Sequence, residues 1–254
     1  MKTFWRKYRI IFYTILGIAG VFLLWLIIAS CLKTTLFPGP VETFAHLFTL
    51  LGKSTTYEAI GKTILSLLIS VAISFLVGVL FGVFGGVFEP FRAFFKPFIT
   101  VTKTIPTAAV VFILVVLLKP MYAAIIVSSL ITFPIIYEAV VTGFTSLDTE
   151  IVEAMKVDNT PLILQIFRVY LPLSYRHILL GCAQIFGLGM KVTIMAEVLT
   201  ATGTEINIGA MIYYHYQFAE MLPIFAYSLI AIFLIGITDI GLYFAKKKLK
   251  ENIK

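Results

Sequence analysis

Apolar residues run along this chain in long blocks separated by short polar breaks, and the blocks have the length of bilayer crossings. Residues from about 10 to 32 form an uncharged stretch long enough to span a membrane as a helix. A second block covers about 59–88, interrupted by Lys62 near its start. Blocks at about 104–118 and 121–143 predict a helical pair joined by a tight turn at Lys119-Pro120. The segment before that pair, from Lys96-Pro97 to Ile105-Pro106, is broken by prolines and predicts a short or interrupted helix entering from the interface. Blocks at about 177–200 and 223–245 complete the pattern. The expectation is an all-α integral membrane protein with six transmembrane helices: an N-terminal helix and basic end (1–35), a five-helix core (36–245) and a basic tail (246–254).

Composition agrees: the chain is 60% hydrophobic and 13% charged, with mean hydropathy +1.01. A soluble domain carries about a quarter charged residues. The +7 net charge sits beside apolar blocks, which suits membrane orientation rather than nucleic acid. With the N-terminus inside, the cytoplasmic segments hold Lys2, Arg6, Lys7, Arg9, Arg92, Lys96, Lys103, Lys156, Arg168 and Arg176. The tail adds Lys246, Lys247, Lys248, Lys250 and Lys254, making fifteen of the 20 Lys and Arg. Lys33, Lys53, Lys62 and Lys119 fall outside, and Lys191 lies within a span. This asymmetry predicts that both termini are cytoplasmic, which six spans permit. Cys31 and Cys182 lie in apolar runs and read as small core residues, without disulfide or metal spacing. Ile28-Ala29-Ser30-Cys31 resembles a lipoprotein processing site, but the preceding stretch exceeds the usual apolar region of roughly 7–15 residues, so a retained helix is expected. His46, His177 and His215 are scattered and form no ligand pair. No internal repeat of the kind secondary transporters carry is evident. In the second block Gly78, Gly82 and Gly86 recur every fourth position, which predicts a flat strip for close helix packing.

The stretch Ser146–His177 between the fourth and fifth spans carries the most information. Asp148 is placed to cap a short helix, with Glu150 and Glu153 near its positive end. That helix should stop near Asp158-Asn159. Thr160 then caps a second helix with Pro161 at its first position. Leu162, Ile163, Ile166, Phe167 and Val169 give this helix an apolar face, and Pro172 is expected to end it. Physical reasoning leaves two readings open: a rigid knob for docking a protein, or an amphipathic helix lying on lipid.

The residues here resemble a known pattern. Glu153-Ala154-Met155, Asn159, Val169, Leu171 and Pro172 fall at the spacing of the EAA motif of binding-protein-dependent ABC importer permeases. That motif runs Glu-Ala-Ala, three residues, Gly, nine residues, Ile, any residue, Leu-Pro. Val169 is a conservative replacement for Ile, while Met155 departs from the second Ala and Asn159 from the Gly. Leu36-Phe37-Pro38-Gly39-Pro40-Val41, Phe133-Pro134-Ile135 with Gly143, and Ala196-Glu197 with Ile208-Gly209 are similar to stretches of nitrate, sulfonate, taurine, thiamine-precursor and riboflavin permeases. The resemblance covers roughly 36–245. It implies a type I ABC importer transmembrane domain whose loop, 147–173, is a cytoplasmic coupling helix inserted into an ATPase. It further implies two ATP-binding subunits, an extracytoplasmic binding protein and a second copy of this chain. Neither catalysis nor a cofactor is implied for the chain itself.

Two short sequences mimic a phosphate-binding loop. Gly52-Lys53-Ser54 and Gly61-Lys62-Thr63 lack the first glycine, with Leu47 and Thr56 in its place, and follow no strand. Charges within spans default to function: Lys191 and Glu197 in the fifth, Glu138 in the fourth, Asp239 in the sixth. Lys191, Glu197 and Glu138 are the candidate translocation-path residues. Six residues apart, Lys191 and Glu197 are separated by about 9 Å of rise and roughly 240° of rotation, so they do not pair. Two readings of Lys191 remain: attraction of an anionic solute, or a structural pair with Glu138 or Asp239. A stand-alone transporter or channel using Lys191, Glu138 and Asp239 as an ion relay is the rival from another class. Tyr213, Tyr214, Tyr216 and Phe218 fall in the loop before the last span and are expected at the outer interface.

Overall fold

The computed structural model describes residues 2–32, 36–158 and 160–251, and among them every regular element is helical. In chain order these are α1 (Lys2–Leu32), α2 (Pro40–Leu51), α3 (Ser54–Val87), α4 (Glu89–Thr104), α5 (Thr107–Leu117), α6 (Pro120–Thr145), α7 (Thr149–Val157) and α8 (Leu162–Gln165). A π-helical turn at Ile166–Tyr170 leads into α9 (Leu171–Thr200), followed by α10 (Ile208–Gln217) and α11 (Met221–Glu251). Among the described residues, five helices are long and apolar enough to cross a membrane. A sixth crossing is available as the pair α4 and α5, bent by 93°.

The bend falls at Ile105-Pro106, where the prolines predict an interrupted helix; α5 alone, at 11 residues, is shorter than the span expected over 104–118. Pro106 cannot donate a backbone hydrogen bond, and it restricts its predecessor to extended backbone. Ile105 accordingly sits at φ −63° and ψ 130°. The turn at Lys119-Pro120 is as expected, with α6 beginning on the proline.

The core is built from α3, α6 and α9, and small residues set their separation. A Cβ on Gly78 would lie 2.6 Å from Ile136 Cβ, and one on Gly82 would lie 2.7 Å from Val140 Cβ. On Gly86 it would meet the Phe144 ring at 2.7 Å. Ser66, Ser70 and Ser74, all buried, extend the same four-residue register toward the start of α3. Ser74 and Thr132 share a 2.6 Å hydroxyl contact, and Ser70 donates to the Ile125 carbonyl at 3.2 Å. Ser128 and Thr193 are 2.9 Å apart across α6 and α9. Between membrane helices such close approach and hydroxyl bonding take the place of the hydrophobic effect.

α1 stands apart from this core. Its inward links include Trp25, which donates its indole N–H to the Pro38 carbonyl at 3.1 Å and stacks near Phe225, and Phe22, 5.8 Å from the Phe44 ring. Cys31 is exposed on α1, contrary to the core position expected for it, whereas Cys182 is half-buried against the core.

Candidate coupling loop and membrane charges

The loop forms α7 and then α8, but Thr160 is not the cap expected of it: Pro161 takes the N-cap without a side-chain bond, and α8 runs on through the π turn into α9. The Asp148 carbonyl accepts the first bonds of α7, from Ile151 and Val152 N–H at 3.1 and 3.3 Å. Met155 is only 7% exposed, so the inner side of α7 is covered. Glu153, Ala154 and Val157 point away from that contact and are exposed, Val157 to 85%. The departure from the motif at Met155 therefore falls on the buried side of α7 and leaves its exposed side unchanged. Asn159, the expected hinge, lies outside the described residues. Pro161 occupies the N-cap of α8, one position earlier than expected, and the Gln165 amide donates to the Thr160 carbonyl at 2.7 Å.

Pro172 does not end the second helix. The chain continues as one apolar helical run from Leu162 to Thr200, with Pro172 in the first turn of α9. A proline clashes with the carbonyl four residues earlier in a regular helix. Here the preceding turn is widened: Leu171 N–H donates to the Ile166 carbonyl, five residues back, across the π turn. Val169 and Leu171 are half-buried, and Tyr170 lies 4.9 Å from the Phe144 ring, the ring that fills the space beside Gly86. Leu162, Ile166 and Leu171 also line one wall of an apolar groove of about 560 Å³ whose other wall is Val79, Val83 and Val87 of α3.

The charges within the spans resolve into separate arrangements. Lys103 at the end of α4 donates to Glu138 of α6. Lys191 of α9 lies 3.6 Å from Asp239 of α11, and both side chains are about half-exposed. No single relay of Lys191, Glu138 and Asp239 forms. Glu197 is 1% exposed, enclosed by this chain's own helices, which places it away from any path surface. Its Oε2 accepts from the Thr63 hydroxyl at 2.8 Å and from Gly209 N–H at 3.3 Å, while Thr63 accepts from Ile208 N–H at 3.0 Å. Oε1 has no partner among the described residues. Gly209 is required there, since an added Cβ would lie 2.5 Å from the backbone nitrogen of Val198. This knot joins α3, α9 and the start of α10. Glu197 and Gly209 sit in a stretch read from sequence as a resemblance, but nothing local to it points to Thr63, 134 residues away. Beyond it the tyrosine segment is helical, not the loop expected: α10 exposes Tyr214 and Tyr216, with Phe218 just past its end. His215 Nδ1 contacts Glu220 Oε2 at 2.6 Å at the turn into α11.

Residues 75–251 match the family described as the binding-protein-dependent transport system inner membrane component. The chain belongs to that family. No curated protein sequence matches it. The fold is similar to that of the MetNI methionine ABC transporter in an inward-facing conformation, with TM-score 0.65 and 13% identity over 77% of this chain and 96% of that one. It is also similar to a bacterial ABC transporter that imports the acidic polysaccharide alginate, with TM-score 0.66 and 16% identity over 98% of both chains. This inner-membrane component is thus a multi-pass, all-helical permease subunit of an ABC importer. Membership of that family disfavours the stand-alone transporter reading.

Proposed function

We propose that this permease subunit receives its ATP-driven motion from a separate ATP-binding subunit docked on α7 and α8. The observation carrying this reading is the outer side of α7, where Glu153, Ala154 and Val157 are exposed while Met155 is buried on the inner side. A short helix that exposes both a charge and apolar side chains suits a groove on a protein. The positive-inside distribution supports a cytoplasmic loop with both termini on the same side. This chain forms the solute path and catalyses nothing, ATP hydrolysis belonging to the partner.

A second copy completes the path. Support comes from the half-exposed Lys191–Asp239 pair: a charge facing lipid at mid-membrane costs about 2.5–3.5 kcal/mol, so this face belongs against water or protein. The solute is small, anionic or heterocyclic, delivered by an external binding protein at the outer face, and Lys191 attracts it. Co-purification with the ATP-binding subunit tests the docking. Glu153→Lys should abolish it, and Lys191→Met should leave it intact while lowering uptake at saturating binding protein. Full retention of the ATPase by Glu153→Lys would sink the docking reading, and unchanged uptake by Lys191→Met would end the path role.

A further inference from the structure

The helix α4 has three distinct sides. At about 100° per residue, Arg92, Lys96 and Lys103 fall within about 40° of one another on one flank. Phe94, Phe98 and Val101 form the other flank, nearly opposite, exposed to 66%, 54% and 52%. Between the two lies the side that packs on the protein: Ile99 is 4% exposed, Phe95 lies 5.0 Å from Phe81 and 5.4 Å from Tyr137, and Phe91 lies 6.2 Å from Phe81. The helix is thus held sideways, with an exposed apolar flank and a cationic flank on which Lys96 is exposed, Arg92 half-buried and Lys103 paired with Glu138.

Its depth follows from Lys103. This residue pairs with Glu138, eighteen residues along α6 from Pro120. That is about 27 Å of rise, close to the thickness of a hydrocarbon core, roughly 30 Å. The end of α4 therefore lies at the membrane boundary on the side of the α7–α8 loop. The 93° bend against α5 turns the helix away from the crossing direction and into the boundary plane. There Phe94 and Phe98 dip toward acyl chains, and Arg92 and Lys96 stand at headgroup level.

We infer that α4 is an interfacial helix whose Arg92–Lys96 flank binds the phosphate of an anionic phospholipid. Charge complementarity selects the occupant, since two cations one turn apart meet a headgroup of net negative charge and gain little from a zwitterionic one. The inference does not depend on which side of the membrane is cytoplasmic or on the docked ATPase.

Native mass spectrometry of the full chain in neutral detergent tests it, titrating dioleoylphosphatidylglycerol against dioleoylphosphatidylcholine. Each cation near an anionic headgroup contributes about fivefold in affinity, so Arg92→Gln with Lys96→Gln should weaken phosphatidylglycerol binding about thirtyfold. Arg92→Lys with Lys96→Arg should bind as the natural chain does, and phosphatidylcholine binding should not change. A salt series on the unmodified chain needs no variant: raising sodium chloride should release phosphatidylglycerol selectively. Equal affinity for the two lipids, or phosphatidylglycerol binding insensitive to salt, overturns the inference. So does a glutamine variant that keeps the lipid yet loses the ATP-binding subunit, which would make the flank a protein contact.

Discussion

Thr63→Val is the sharpest perturbation of this fold, because it removes one hydroxyl and almost no volume. That hydroxyl donates to Glu197 Oε2 at 2.8 Å and accepts Ile208 N–H at 3.0 Å. Ile208 is the first residue of α10, and a first-turn N–H has no partner within its helix. Valine would leave that N–H buried and unbonded. Glu197 would keep the longer 3.3 Å bond from Gly209, with its other oxygen already lacking a partner among the described residues. A buried polar group left unsatisfied costs about 1–3 kcal/mol, so the two losses together should destabilise by about 3 kcal/mol. For a chain of this size that lowers the melting temperature by about 6–12 °C. Circular dichroism of the purified protein in detergent measures it, with Thr63→Ser as the control that keeps the hydroxyl. Hydrogen exchange at residues 208–210 should accelerate in the valine variant and not in the serine variant. Equal melting of the two variants with unchanged exchange would show that the knot does not hold α10, and the reasoning fails.

Gly82→Ala should destabilise by about 1–3 kcal/mol, since its Cβ would meet Val140 at 2.7 Å; Val140→Ala in the same chain should recover part of the loss in a thermal melt. Met155→Ala should loosen α7 without touching its outward face, giving faster hydrogen exchange over 149–157 and fewer solute molecules imported per ATP, while Met155→Leu preserves both. Burial alone would raise the Glu205 carboxyl, but hydrogen bonds from Thr202 N–H (2.9 Å) and hydroxyl (2.7 Å) outweigh it and hold the group below its usual range. The stability this gives the 202–205 turn is therefore complete at neutral pH and fades as pH falls through the lowered value. Exchange protection of that turn, corrected for intrinsic rates, should decline on acidification in the natural chain and be flat in Glu205→Gln.

Much of this architecture is legible because the bilayer restricts what a sequence can do. An apolar block of some twenty residues must be a helix there, so α1, α3, α6, α9 and α11 follow from hydropathy. The glycine strip of α3 is legible for the same reason, as contact between membrane helices needs small residues. Its continuation through Ser66, Ser70 and Ser74 keeps the same spacing and was available to a reader who counted serine as small. Proline positions are harder. Pro106 breaks its helix and Pro172 does not, although both read alike in sequence. The difference lies in the turn upstream: α4 ends in an extended Ile105, whereas the Ile166–Tyr170 turn widens to accept the ring.

Charge pairing is the part least written in local sequence. Lys103 reads as one of the cytoplasmic cations, yet it meets Glu138 of α6, thirty-five residues away, where the chain bends by 93° between α4 and α5. Glu197 reads as a path residue because an acid inside a span usually faces water or a counter-ion. It finds neither a lysine nor an opening; a threonine hydroxyl and the Gly209 N–H in the first turn of α10 reach it instead. The positive end of that helix supplies what a cation would have supplied elsewhere. An intramembrane acid followed some ten residues later by a glycine at a helix start is thus a pattern with two readings. The packing against Gly209, too tight for any side chain, decides here for the structural one.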